Sequence, residues 1–196
     1  GDDPTRTLRN LTLSLAPGAL CVVTGATGSG KSELLSALIG EADVLAGDVA
    51  VGGALAYAPQ TAWAEAGTLR DNVVFAGAGA PCDAGRFADA VAAACLEPDL
   101  ARLPLGADTE LGARGGTLSG GQRHRLALAR AHYARADAVA LDDPLAALDA
   151  NVARRVVEKG RLGGALARAT RVIVSSRTVL ADAADVVVVL GVDAEG

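Results

Sequence analysis

The stretch GATGSGKS, residues 25–32, constrains the fold more than any other part of the chain. It follows an apolar run, Leu20 to Val23, that reads as a buried strand. It opens the segment KSELLSALIG, in which Leu34, Leu35, Leu38 and Ile39 fall on one helical face before Gly40 stops the helix. Glycines at 25, 28 and 30 permit torsions closed to other residues, so successive backbone N–H groups can wrap a polyphosphate. The helix behind them turns its partially positive N-terminus to the same anion. Lys31 adds a full charge, and the Ser32 hydroxyl has the size to ligate Mg²⁺. Ala26, Thr27 and Ser29 complete the loop. The alternative, a flexible turn, does not need a strand before it and a helix after it. Glu33 is either a solvated carboxylate suited to a helix first turn or a charge that repels the phosphates.

The rest of the chain divides by pattern. LTLSL alternates from Leu11 to Leu15 and predicts an antiparallel edge strand, turning at Pro17-Gly18. GDVAVGGALAYAPQ reads as two short strands around Gly52-Gly53. Residues 61–135 are Ala-rich, with helical runs such as GRFADAVAAACL and GGQRHRLALARAHYARA. From Ala138, AVAL, RVIVS and DVVVVL predict buried parallel strands. The expectation is one α/β domain over 1–196, with a core from 1–60 and 136–196 and an inserted helical subdomain over 61–135. At 196 residues the chain can bury a substantial core, and with 51% hydrophobic but only 3% aromatic residues that core is aliphatic.

A net charge of −5 argues against a nucleic-acid partner. Cys21, Cys82 and Cys95 match no metal or redox spacing and read as reduced thiols of a cytosolic compartment. No signal peptide is visible, and VVVVL at 186–190 is too short to cross a bilayer. The chain begins at Gly1 and contains no Met, as a domain cut from a longer polypeptide would.

ALDDPLAALDA, residues 140–150, carries the second site signal. Asp142 ends an apolar strand and is placed to hold Mg²⁺, mostly through water, opposite Ser32. Asp143 then faces the place of a γ-phosphate and an attacking water. Asp-Asp-Pro is also a good turn opener, which is the plainer reading.

LSGGQ, Leu118 to Gln122, lies between these two motifs. Ser119 can cap a helix, and Gly120 and Gly121 expose N–H groups at its N-terminus, a second anion site facing outward. With LSGGQ so placed, the chain resembles a nucleotide-binding domain of an ABC transporter, over nearly its whole length. The resemblance implies a P-loop NTPase fold, with Walker A at 25–32, Walker B at the strand ending in Asp142, and ATP with Mg²⁺ as ligands. It implies that Leu118, Ser119, Gly120, Gly121 and Gln122 act in trans, on ATP held by a second such domain, head to tail. Gln60 is similar to the Q-loop glutamine, a Mg²⁺ and nucleotide sensor that contacts the membrane domain, and Asp149 to the D-loop aspartate.

PQTAW, LRDN, LPLGADTELGARGG and DDPLAALDA resemble the C subfamily, the multidrug-resistance-associated proteins, in the first of their two nucleotide-binding domains. Trp63 is then either a coupling residue beside the Q-loop or an ordinary half-buried Trp. The implied partners are that second domain and transmembrane domains of the same polypeptide, at the cytosolic face of a membrane.

Two departures bear on catalysis. The family's usual glutamate is Asp143 here, one methylene shorter, and its switch histidine is Ser176, which cannot carry positive charge. Ala146 replaces a frequent D-loop serine. His124 and His132 read as ordinary helix residues. No aromatic precedes Tyr57 to stack on adenine. Slow hydrolysis at this domain's own loop is the expectation. A transporter engine, a regulatory ATP-binding module that gates a channel, and a soluble ABC ATPase acting on DNA or ribosomes are the rival functions; no basic arm or long insertion supports the third.

Overall fold

A computed structural model describes residues 8–77, 80–158, 164–176 and 178–191, so both ends of the expected 1–196 domain lie outside the described residues. Among the described residues five strands form one sheet: β1 (Leu20–Gly25), β2 (Leu55–Ala58), β3 (Ala138–Asp142), β4 (Thr170–Val174) and β5 (Val186–Leu190). Their order across the sheet is β2-β3-β4-β1-β5, and every strand pair is parallel. A parallel sheet must be covered on both faces, and the alternation along the strands supplies two apolar sides. Cys21, Val23, Ala140, Val172 and Val174 pack on one side with Leu34 and Leu35 of helix α1 (Lys31–Ile39). Leu20, Val22, Val139, Leu141 and Ile173 pack on the other. All three free cysteines are at least partly buried, and burial pushes the Cys21 thiol up to about 11.

The helices on the second side are α2 (Leu69–Val74), α3 (Ala84–Ala93), α4 (Glu97–Leu100), α5 (Gly120–Ala134) and α6 (Ala150–Glu158). Their starts follow from local sequence. Thr68 and Asp71 form a reciprocal capping box on α2, Asp83 caps α3, and Ser119 caps α5. The αL geometry of Gly40 ends α1 as its position predicts. Helix α5 is the centre of this layer, packing on α2, α3 and β2. Its Leu126, Leu128 and Ala129 are almost completely buried.

The sheet corrects one expectation. Leu11–Leu15 form no strand, and of the two strands expected around Gly52-Gly53 only β2 forms. An alternating segment becomes an edge strand only when a neighbour offers its hydrogen bonds, and Val49–Val51 is irregular too. Leu8, Leu13 and Leu15 instead pack against the α1 side of the sheet. Among the described residues the one antiparallel bridge joins Thr68 and Glu110.

His132 sits within α5 at 3% exposure, and its Nδ1 has no hydrogen-bond partner among the described residues. Burial pushes its imidazole down from 6.5 to about 4. The unfolded chain therefore binds this proton at a higher pH than the folded chain. The stability due to neutral His132 is complete above pH 6.5 and is lost as pH falls toward 4. His132→Leu is expected to remove about 3 kcal/mol of pH dependence across that interval. Urea titrations at the two ends of the interval check it; an unchanged difference contradicts the assignment.

Candidate functional site

The loop after β1 has the geometry its glycines predict. Gly25 has φ +150°, and a Cβ there would strike the Leu190 carbonyl of β5 and lie 2.8 Å from the Ser29 hydroxyl. Gly30 has φ +87°, forms the N-cap of α1, and lies 2.8 Å, by its missing Cβ, from the Leu8 side chain. The backbone clash excludes a side chain at Gly25, and the positive φ disfavours one at Gly30. No side chain caps α1, so its first-turn N–H groups face the loop. Lys31 Nζ donates to the carbonyls of Gly25 at 2.9 Å and Ala26 at 2.6 Å. Ala26, Thr27, Gly28 and Ser32 are exposed. Ser29 is 7% exposed, and its Oγ has no partner among the described residues. An open helix N-terminus, an ammonium held at the loop and an unused hydroxyl fit a polyphosphate. Glu33 is exposed, which suits the solvated reading.

Parallel pairing brings the other candidates to the same edge. Val23 of β1 lies opposite Val174 of β4, which lies opposite Asp142 of β3. Gly25, Ser176 and Asp143 therefore leave adjacent strand ends. Ala58 pairs with Leu141, so Gln60 emerges beside them. Asp142 is 4% exposed and keeps the alternation of Ala140, which puts it on the α1 side of the sheet. Tyr57, on the neighbouring strand, was not singled out by sequence. Its phenol is held above the usual range by burial first, then by the charges of Asp142 and Glu41. Asp143 takes φ +42°, and its N–H donates to the Val174 carbonyl at 2.9 Å. Gln60 and Ser176 are exposed. Among the described residues no three His, Cys, Asp or Glu side chains cluster as a metal cage. A Mg²⁺ ion at Ser32 and Asp142 would take most of its ligands from phosphate and water, as that ion commonly does.

The LSGGQ segment lies on a separate surface. Leu118 is buried at 5% and anchors the turn into α5. Ser119 Oγ accepts from Gln122 N at 3.2 Å, while Gln122 Oε1 accepts from Ser119 N at 2.7 Å. No described residue accepts from the Gly120 or Gly121 N–H. A Cβ on Gly121 would lie 3.2 Å from the Ala147 carbonyl, so the glycine lets the 143–149 turn approach α5. Within that turn, Asp149 caps α6, accepting from Asn151 N and Val152 N at 3.0 Å.

Sequence reading missed two links. His124 places Nδ1 3.1 Å from the Gly120 carbonyl and Nε2 3.1 Å from the Gln60 carbonyl, joining the start of α5 to the segment after β2. The only hint was its position four residues after Gly120, one turn along a helix. Trp63 is 37% exposed and stacks edge-on with Phe75 at 5.1 Å. The Arg130 guanidinium lies 4.0 Å from the Trp63 ring, and burial pushes its pKa down to about 10. This describes a half-buried Trp tied to α5.

The family model described as ABC transporter matches residues 8–146, which include the phosphate loop, LSGGQ and both aspartates. The chain belongs to the ABC transporter family. Such domains bind ATP, generally with Mg²⁺, and are generally ATPases. Among its relatives, "ATP-binding cassette sub-family C member 3" of Mus musculus is 44% identical over 186 residues, 94% of this chain and 12% of the relative. "ATP-binding cassette sub-family C member 2" of Mus musculus is 40% identical over 190 residues, 96% of this chain and 12% of the relative. "Multidrug resistance protein mrp-7" of Caenorhabditis elegans is 42% identical over 187 residues, with 94% and 12% covered. The chain is thus a C-subfamily ABC domain and spans about an eighth of the length of the curated relatives it matches.

Two substitutions test this ABC site. Lys31→Ala removes the one full charge at the loop and is expected to weaken ATP binding about 10- to 100-fold, as loss of a charged hydrogen bond does. Titration with a fluorescent ATP analogue reads it, and an unchanged affinity contradicts the phosphate-loop assignment. Asp149→Ala removes the α6 cap and is expected to cost about 1 kcal/mol of stability. A denaturation midpoint equal to that of the unaltered chain contradicts the capping role.

Proposed function

We propose that this domain binds ATP with Mg²⁺, closes head to tail on a second ABC domain, and so powers movement of a solute by membrane-spanning segments of the same polypeptide. The reading takes it as one domain over 1–196, the first of two, at the cytosolic face, with no nucleic-acid partner. Residues 1–60 and 136–196 form its core and 61–135 its signature subdomain. The observation that carries the proposal is the convergence of the loop with Asp142, Asp143, Gln60 and Ser176 at one sheet edge, beside a separate helix N-terminus with open N–H groups.

Gly25–Ser32 bind and orient the phosphates. Ser32, Asp142 and Gln60 would hold Mg²⁺, which when bound neutralises charge on the phosphate oxygens. Asp143 and Ser176 would stand at the γ-phosphate, where water must be aligned and developing charge stabilised. Asp143 reaches less far than a glutamate, and a misplacement of about 1 Å costs on the order of 10²-fold in rate. Ser176 donates a hydrogen bond but no charge. This domain's own ATP therefore turns over slowly and mainly holds the pair closed. Its Ser119, Gly120 and Gly121 complete the faster site on the partner. Trp63, three residues after Gln60, would face the membrane domain.

In full-length protein, Asp143→Glu combined with Ser176→His is expected to raise ATP turnover about tenfold. Equal turnover contradicts the slow-site reading. Ser119→Arg is expected to lower full-length turnover at least about tenfold while this domain still binds ATP. Unchanged turnover would remove the role in trans.

A further inference from the structure

We propose that Asp99, on the short helix α4, is the positioning residue of the LSGGQ surface. This inference rests on the in-trans role proposed above. Asp99 is 7% exposed and lies 23 residues before Gln122 in sequence. Its Oδ1 accepts from Gln122 Nε2 at 3.1 Å. Its Oδ2 accepts from Arg125 Nε at 3.1 Å and Nη2 at 2.8 Å. Both charged side chains are nearly buried, at 13% for Arg125 and 9% for Asp99.

A carboxylate can only accept, so it fixes which end of the Gln122 amide faces it. The NH₂ group must point to Asp99. The oxygen must then point the other way, where it meets Ser119 N–H. Asp99 thereby sets the polarity of the capping box, and the capping box sets where Ser119 and the open Gly120 and Gly121 N–H groups face. Arg125 holds the carboxylate from the far side, one turn along α5 from Gly121. Anion recognition by N–H groups needs them aimed to within a few tenths of an ångström. A buried acceptor behind the loop provides that aim without touching the nucleotide.

An ion pair kept only for stability would tolerate exchange of its two ends. A positioning carboxylate would not. Arg at position 99 can only donate, so it would draw the Gln122 oxygen and turn the NH₂ group against Ser119 N–H. Asp99→Asn makes the same inversion at constant size: Arg125 takes the lone amide oxygen, and the amide NH₂ faces Gln122.

The test is made in full-length protein, with ATP turnover and thermal melting measured together. Ser119→Arg serves as the control for the in-trans role. Asp99→Asn is expected to lower kcat about tenfold or more, with little change in KM. The exchange Asp99→Arg with Arg125→Asp is expected to recover melting relative to Asp99→Arg alone, yet leave kcat low. Recovery of kcat by the exchange, or unchanged kcat in Asp99→Asn while Ser119→Arg is impaired, overturns the inference alone. If the exchange fails to fold, Asp99→Asn decides. Unchanged kcat in both Ser119→Arg and Asp99→Asn overturns the in-trans reading and this inference with it.

Discussion

Parallel pairing of β3, β4 and β1 is the constraint on which the rest depends. Strands that run the same way end at the same edge, so whatever follows each of them shares one crevice. Here β1 delivers the phosphate loop, β3 the two aspartates, β4 Ser176 and β2 Gln60. None of these groups is near another in sequence. The pairing itself requires two apolar faces, which the alternation of Cys21 and Val23 against Leu20 and Val22 supplies. The site is thus a consequence of how the sheet is buried.

The second surface has a different origin. It is built on α5, whose apolar residues occupy the core while its first turn stays at the surface. Contacts among the described residues tie that turn to the rest of the domain. His124 joins it to the Gln60 carbonyl, Asp99 holds Gln122, and the missing Cβ of Gly121 leaves room for the Ala147 carbonyl. One domain thereby carries the glycine loop after β1 and, apart from it, an exposed helix tip with open N–H groups.

Much of this was legible in the sequence because its causes are local. The strands from Ala138 on are short apolar runs, α1 carries its stop residue in Gly40 and α5 its start residue in Ser119. The loop's torsions follow from glycine. The edge strand expected over Leu11–Leu15 does not form, because alternation specifies a half-buried segment, while a strand also needs a neighbour. Asp149 as a helix cap was within reach, since ALDANV places an aspartate just before a helical run. Asp99 and His124 were not. Their partners lie 23 and 64 residues away, and no local pattern announces a contact made by the fold.

The central claim is that the loop after β1 and the N-terminus of α1 grip phosphates. Titration of the chain with ATP, ADP, AMP and adenosine in the presence of Mg²⁺ tests it most directly. Affinity is expected to fall steeply as phosphates are removed, with adenosine binding least. Adenosine or AMP binding as tightly as ATP would contradict it.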